Sequence, residues 1–199
     1  MAKHKKPALT MQSKIIMLVC GIVACALLIT GLFVTRSIEN SVRSSLEGKA
    51  RDISRTVAVS PLIIDGLAGG GDTQGIRDYT RAIRKATNVE FVVVFDMNGI
   101  RKSHPNEERV GQPLVGGDEM PALRGEEYVS FAQGTLGHSL RAFSPVFARD
   151  GRQVGAVVVG ILLDDVEDTV HQNQTIIYWA TALGLIAGLA GAIFLARSI

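Results

Sequence analysis

The chain has 199 residues, 47% of them hydrophobic, and 21 basic against 19 acidic side chains give it a net charge of +2. That near-balance excludes the strongly basic surface on which nucleic-acid binding depends. Only two cysteines are present, Cys20 and Cys25, both inside one apolar run, which excludes a disulfide framework for the rest.

Residues 1–14, with Lys3, Lys5, Lys6 and Lys14, read as a cytoplasmic tail. Ile15 to Val34 carries no charge. About 20 residues at ~1.5 Å each cross a ~30 Å hydrocarbon layer. The run is too long for a cleaved leader and no Ala-x-Ala-like site ends it, so residues 15–35 are read as a retained transmembrane helix. The lysine-rich flank stays inside, which puts the next segment, residues 36–174, outside the membrane of a bacterial cell. A second uncharged run, Thr175 to Ala196, is read as a transmembrane helix over residues 175–197 that returns the C-terminus to the cytoplasm. Ala180, Gly184, Gly188 and Ala192, each four apart, give it a smooth face for another helix.

All nineteen acidic residues and sixteen of the basic ones fall in the outer segment. Ile38, Val42, Leu46, Ala50, Ile53 and Val57 form one apolar stripe, so the first span continues as a long helix to about Val57. The stripe has two uses open to it, packing on the domain's own sheet or on a second copy of itself. Leu67 to Asp72 is a glycine-rich loop signal, and Gly75 to Thr87 reads as a second helix. Phe91 to Phe95 is short, β-branched and apolar on both parities, the pattern of a central buried strand. Asp96-Met97-Asn98-Gly99 is a turn that lets Ile100 to Ser103 return as a neighbouring strand. Pro105 to Glu127 is a long polar connection of the kind that carries function. Strands are expected at Tyr128 to Phe131, Ser139 to Phe147 and Val154 to Leu163, with Asp150-Gly151 as a hairpin turn. The fold class expected is α+β, a five-stranded antiparallel sheet behind a long N-terminal helix, flanked by two transmembrane helices.

Strand alternation places Ser139, Arg141 and Phe143 on one sheet face and Leu140, Ala142 and Val146 on the other. A guanidinium beside an aromatic is paired with a local carboxylate or awaits one. Gly134-Thr135-Leu136-Gly137 just upstream is able to present backbone N–H groups as an anion nest. Arg101 and His104 form a second cluster. Their strand parities differ, but Pro105 cannot extend a ladder, which frees His104 to turn toward the face of Arg101. Four scattered histidines without acidic or cysteine neighbours at ligand spacing give no metal site. No phosphate-cradling loop and no nucleophile beside a base appear, so neither a cofactor nor catalysis is expected of these residues.

Phe91-Val92-Val93-Val94-Phe95-Asp96, Arg101-x-Ser-His104-Pro105, Gly116-Gly117-Asp118 and Gly134-x-Leu-Gly-x-Ser-Leu-Arg141 resemble the outer sensor domain of the citrate and C4-dicarboxylate sensor histidine kinases, the CitA/DcuS type. The resemblance covers both spans and everything between. It implies a PAS-like (Cache) fold, a membrane homodimer, and a kinase beyond the second span that would address a response regulator. It also implies that Arg101, His104 and Arg141 grip ligand carboxylates, helped by groups near Thr135 and Leu136. Citrate sensors resemble Arg-Gly-Lys where this chain has Arg141-Ala142-Phe143, so Phe143 points to a C4-dicarboxylate such as malate, fumarate or succinate before citrate. Ser139, Ser144 and Lys102 complete the expected ligand-binding set. The same outer domain on a chemotaxis receptor is the alternative output.

Overall fold

In the computed structural model, α1 (Met11–Ala58) runs without interruption from the first apolar run to the end of the amphipathic stripe. The structure describes residues 11–69, 73–134 and 137–162, with single positions at 179, 182, 184, 186 and 188. Most of the tail at 1–14 and of the expected second span at 175–197 lies outside the described residues; the five single positions of that span are helical. The chain divides at Asn40, and Ser41–Glu167 forms a compact unit of its own. Before the divide, Ile22, Leu28, Ile29 and Phe33 are exposed along α1. Among the described residues this is one helix long and apolar enough to cross a membrane.

Within the Ser41–Glu167 unit, Leu46, Ala50, Ile53 and Val57 bury the stripe of α1 against Val92, Val94, Leu140, Ala142, Val146, Val157 and Val159. Of the two uses open to the stripe, this stretch therefore takes the domain's own sheet. α2 (Pro61–Ala68) and α3 (Thr73–Thr87) lie on the same side. Sequence reading assigned Leu67 and Ala68 to a loop. They are the end of α2, which Pro61 opens in the first helical turn, where its missing N–H costs nothing.

Among the described residues the sheet has four strands: β1 (Phe91–Asp96), β2 (Tyr128–Gly134), β3 (Gly137–Phe147) and β4 (Gln153–Leu162). All neighbours are antiparallel, in the order β1-β4-β3-β2. The long connection carries a one-turn 3-10 helix at Glu107–Arg109 and α4 (Met120–Leu123). The Asp96–Gly99 turn forms as expected: Asp96 accepts from the Gly99 N–H, and Gly99 sits at φ +73°. The Asp150-Gly151 hairpin turn forms too, with Gly151 at φ +83°.

The expected fifth strand is absent, and the expected central strand, β1, lies at the edge. Both corrections have one cause. After the Asp96–Gly99 turn, Ile100 to Ser103 makes only isolated bridges, Phe95 to Arg101 and Ile100 to Pro113. The Arg101 N–H donates outward to Gln112, and the Ser103 hydroxyl accepts from the Val94 N–H, where a strand would offer a carbonyl. Lys102 and Ser103 N–H groups both reach the Val94 carbonyl. The edge is thus covered without a ladder, and Phe91 to Phe95 is buried although its outer side meets only these short contacts. The central strands are β4 and β3.

The second sheet face carries Phe91, Val93, Phe95, Phe143, Ala156 and Val158, covered by Ala122 of α4 with Leu114, Leu123 and Tyr128. Gly160 is required here. It pairs with Phe91, whose ring lies over it, and a Cβ at that position would overlap the ring. Gly160→Ala is expected to lower stability by about 1–3 kcal/mol through overpacking. The loss should shrink in a Phe91→Ala background, because the two residues share one volume. Thermal unfolding of both single variants and the double variant checks this; strict additivity would show that the ring does not depend on the glycine.

Candidate functional site

β3 divides the candidate residues between two faces. Leu140, Ala142 and Val146 enter the helix-side core, and Phe143 enters the opposite cluster, as alternation requires. Ser139 and Arg141 share the face of Phe143. Ser144 has the other parity, and its hydroxyl lies 2.8 Å from that of Ser54 on α1, in the helix-side interface. The structure therefore separates Ser144 from the other β3 candidates.

Arg141 is almost wholly buried. Its Nη1 donates to Asp118 at 2.8 Å and to the Val115 carbonyl at 3.4 Å, and its Nε donates to Ser139 at 3.1 Å. Its side chain is 5% and that of Asp118 14% exposed, so the pair is shielded from solvent screening. Ser130, opposite Arg141 in the β2–β3 register, donates to the second oxygen of Asp118. Gly116, at φ +138°, brings the loop so close that a Cβ would strike the Arg141 guanidinium. Of the two readings of a guanidinium on this face, the local carboxylate is the one observed. Asp118 belongs to the Gly116-Gly117-Asp118 motif and lies outside the ligand-binding set expected from the sequence. Two glycines ahead of an acid inside a long loop are the signal that would have found it.

Arg101 is 2% exposed, yet its bonding is incomplete. Nε donates to the Gln112 carbonyl at 3.3 Å, while Nη2 is buried with no partner among the described residues. Burial and then the charge of Arg109 push its pKa below the usual arginine range. A guanidinium remains charged in proteins, so an uncompensated one in this position favours any anion that reaches it. Its neighbour Lys102 bonds instead to Asp96 at 2.9 Å. Burial raises the Asp96 pKa, but Lys102 and the Ile100 and Asn98 amides outweigh it and hold the carboxyl below its ordinary range.

His104 faces elsewhere. With Pro105, Val92 and Arg77, Arg81 and Arg84 of α3 it lines a cleft of about 320 Å³, open solvent included. Its Nδ1 lies 3.0 Å from the Asn106 N–H and 3.1 Å from the Asn106 carbonyl. A neutral ring accepts from that N–H and carries its proton on Nε2; an imidazolium donates to the carbonyl instead. Burial, then Arg101, lowers the His104 pKa below its ordinary value, with the Asn106 contact opposing. Arg101, Arg141, Ser139 and Phe143 thus belong to the side of the sheet opposite α1, and His104 stands in the α3 cleft. Thr135 and Leu136 lie outside the described residues.

Phe143 is the hub of the apolar part. Tyr128, its cross-strand partner, stacks on it at 4.8 Å and 7°, and Phe95 meets it edge-on at 6.3 Å. The long connection is tied over this face by Asp118 and by Gln153 of β4, whose Nε2 donates to the Ala122 carbonyl at 2.7 Å.

A four-stranded antiparallel sheet with a long N-terminal helix on one face, and buried arginines under a loop on the other, defines a PAS-like ligand-sensing domain. The chain belongs to the Single cache domain 3 family, whose profile matches residues 38–175. It is 34% identical over 170 residues to the sensor histidine kinase DcuS of Escherichia coli K12, covering 85% of this chain and 31% of that one. It is 30% identical over 198 residues to the sensor protein CitS of Halalkalibacterium halodurans, covering 99% and 37% respectively. The crystal structure of the E. coli DcuS sensor domain superimposes with a TM-score of 0.61 at 39% identity, covering 65% of this chain and 97% of that domain. The chain spans about a third of the length of these two relatives. The resemblance to citrate and C4-dicarboxylate sensors is therefore established at the level of family.

Two outcomes follow from the geometry. Because the folded-state pKa of His104 is depressed, the unfolded chain binds more protons near pH 6, and stability rises with pH there. His104 contributes fully above ~6.5 and loses that contribution as pH falls through its folded value. The Tm of the ligand-free chain should drop between pH 7 and pH 5.5, and His104→Gln should remove that part of the drop; an unchanged slope in the variant counts against it. Ser144→Ala should cost about 0.5–1.5 kcal/mol by removing the bond to Ser54 and leave ligand affinity unchanged, as calorimetry would show.

Proposed function

We propose that this chain is the input part of a two-component sensor histidine kinase, with a C4-dicarboxylate preferred over citrate as its ligand. Residues 36–174 lie outside the membrane between spans at 15–35 and 175–197, with both termini in the cytoplasm. The observation that carries the ligand class is Arg101: a buried guanidinium whose Nη2 has no partner among the described residues. A carboxylate is the group that matches such a fork in charge and geometry. Arg141 offers its Nη2 from the same sheet face, its Nη1 being held by Asp118. The names of the relatives, a C4-dicarboxylate kinase of Bacillus subtilis among them, agree with this class.

His104 completes the grip by turning from the α3 cleft toward Arg101. Phe143, packed between Tyr128 and Phe95, closes the apolar side. A third carboxylate would have to lie against that aromatic wall, which is why a dianion fits better than citrate. Ligand pulls the sheet closed over the pocket, and β4 transmits the change toward the second span, which is drawn outward past the first. The domain works as a homodimer in the membrane, and phosphotransfer to a response regulator belongs to the further length that the relatives possess. A ligand shifts such an equilibrium only by its differential affinity for the two states.

The two arginines should respond differently to loss. Arg101→Met removes a desolvated, uncompensated cation, so the ligand-free Tm should hold or rise. Arg141→Met strands Asp118 and should cost on the order of 2–3 kcal/mol. Both should weaken malate binding on the order of a hundredfold. Near-normal affinity in both variants would remove the arginines from the site. In the unaltered chain malate should bind more tightly than citrate, and the reverse order would overturn the ligand preference alone. A bound dianion raises the His104 pKa, so binding takes up protons and should weaken as pH rises through the bound value.

A further inference from the structure

The proposed function leaves the cleft beside α3 unused once His104 turns away from it. Arg77, Arg81 and Arg84 of α3 line that cleft, together with His104 and Pro105 from the segment after Arg101. The three arginines are four and three positions apart, so they stand on one face of the helix. Like charges at these spacings weaken a helix unless something offsets them.

The offset is unevenly placed. Arg81 meets two carboxylates, Asp78 at 2.9 Å and Glu107 at 2.5 Å, and 45% of its side chain is exposed. Arg77 and Arg84 are half-buried. Arg77 donates to the neutral amide oxygen of Gln74, and Arg84 has no hydrogen bond or ion pair among the described residues. The arginine with carboxylates is thus the one most open to water, and the two withdrawn from it have none. A solvated basic face would show the reverse. After burial, the charges that lower the His104 pKa are those of Arg101 and Arg109, so further cations stand behind the cleft.

A carboxylate presents two oxygens in one plane and matches a single guanidinium fork. Arg77 and Arg84 are two helical turns apart, about 10 Å along the axis at ~1.5 Å per residue. A group that meets both needs oxygens in several directions and more than one negative charge. Phosphate has both, and arginine pairs with it in bidentate fashion. We infer that the α3 cleft binds a phosphate group, held by Arg77 and Arg84 on either side of Arg81. This site lies apart from the Arg101 and Arg141 face and does not depend on the dicarboxylate reading. The phosphate has two possible sources, the free ion and a lipid headgroup.

Calorimetry on the full chain in phosphatidylcholine nanodiscs, titrated with inorganic phosphate at constant ionic strength, tests the inference. One saturable site is expected. Arg77→Gln and Arg84→Gln should each weaken it about tenfold, the contribution of one charge-assisted hydrogen bond. Lys85→Gln alters the same helix outside the cleft and should change nothing. Acetate at equal concentration should not displace phosphate. The Tm of each variant confirms that α3 still packs. Nanodiscs with added phosphatidic acid separate the sources: loss of phosphate uptake there means that the headgroup fills the cleft, and unchanged uptake means that the free ion does. Either result supports a phosphate site. No saturable uptake in phosphatidylcholine discs overturns the inference. Displacement by acetate, or a loss in Lys85→Gln equal to that in Arg84→Gln, overturns it as well.

Discussion

Two guanidinium groups stand on a sheet face that is otherwise lined by Phe91, Val93, Phe95, Phe143 and Val158. Burying a charge among such groups is unfavourable unless it is compensated. Arg141 is compensated from within by Asp118, while Arg101 has one nitrogen unpaired among the described residues. The rest of the domain can be read as the consequence. Gly116 has to be glycine for the loop to reach Arg141, and Ser130 and Ser139 hold the two ends of the Arg141–Asp118 pair. The opposite face, packed by α1, α2 and α3, supplies the stability that permits an incompletely satisfied site.

The parts legible in the sequence were those set by periodicity and turn chemistry. Spacing three and four along Leu46 to Val57 gave the buried stripe of α1, and alternation along β3 gave the correct face for Arg141 and Phe143. Gly99 and Gly151 marked their turns because a positive φ selects glycine. The parts that were not legible depend on long-range partners. Nothing in Ile100 to Ser103 announces that the Ser103 hydroxyl will occupy the Val94 N–H and end the ladder before it starts. Nor does β3 reveal that Asp118, 23 positions upstream of Arg141, will be its partner. Ser144 shows the limit of motif reasoning: it sits in the right stretch, and its parity sends it to Ser54.

His104 joins two regions that the sheet keeps apart. It follows the segment of Arg101, feels that charge, and lines the cleft of the α3 arginines. Its Nδ1 sits between an N–H and a carbonyl of the same residue, Asn106, so both protonation states find a partner there. The ring therefore changes charge without losing its tether.

The tie between Gln153 and the Ala122 carbonyl has a further consequence. The connection from Pro105 to Glu127 is fastened to β3 through Asp118 and to the start of β4 through Gln153, and so it is not an independent flap. Opening it means breaking contacts anchored in the two central strands. Local unfolding of such a segment is coupled to the most protected part of the sheet. Amide hydrogens of α4 should consequently exchange with solvent at rates set by the strands beneath them, far slower than a solvent-facing loop of that length would allow.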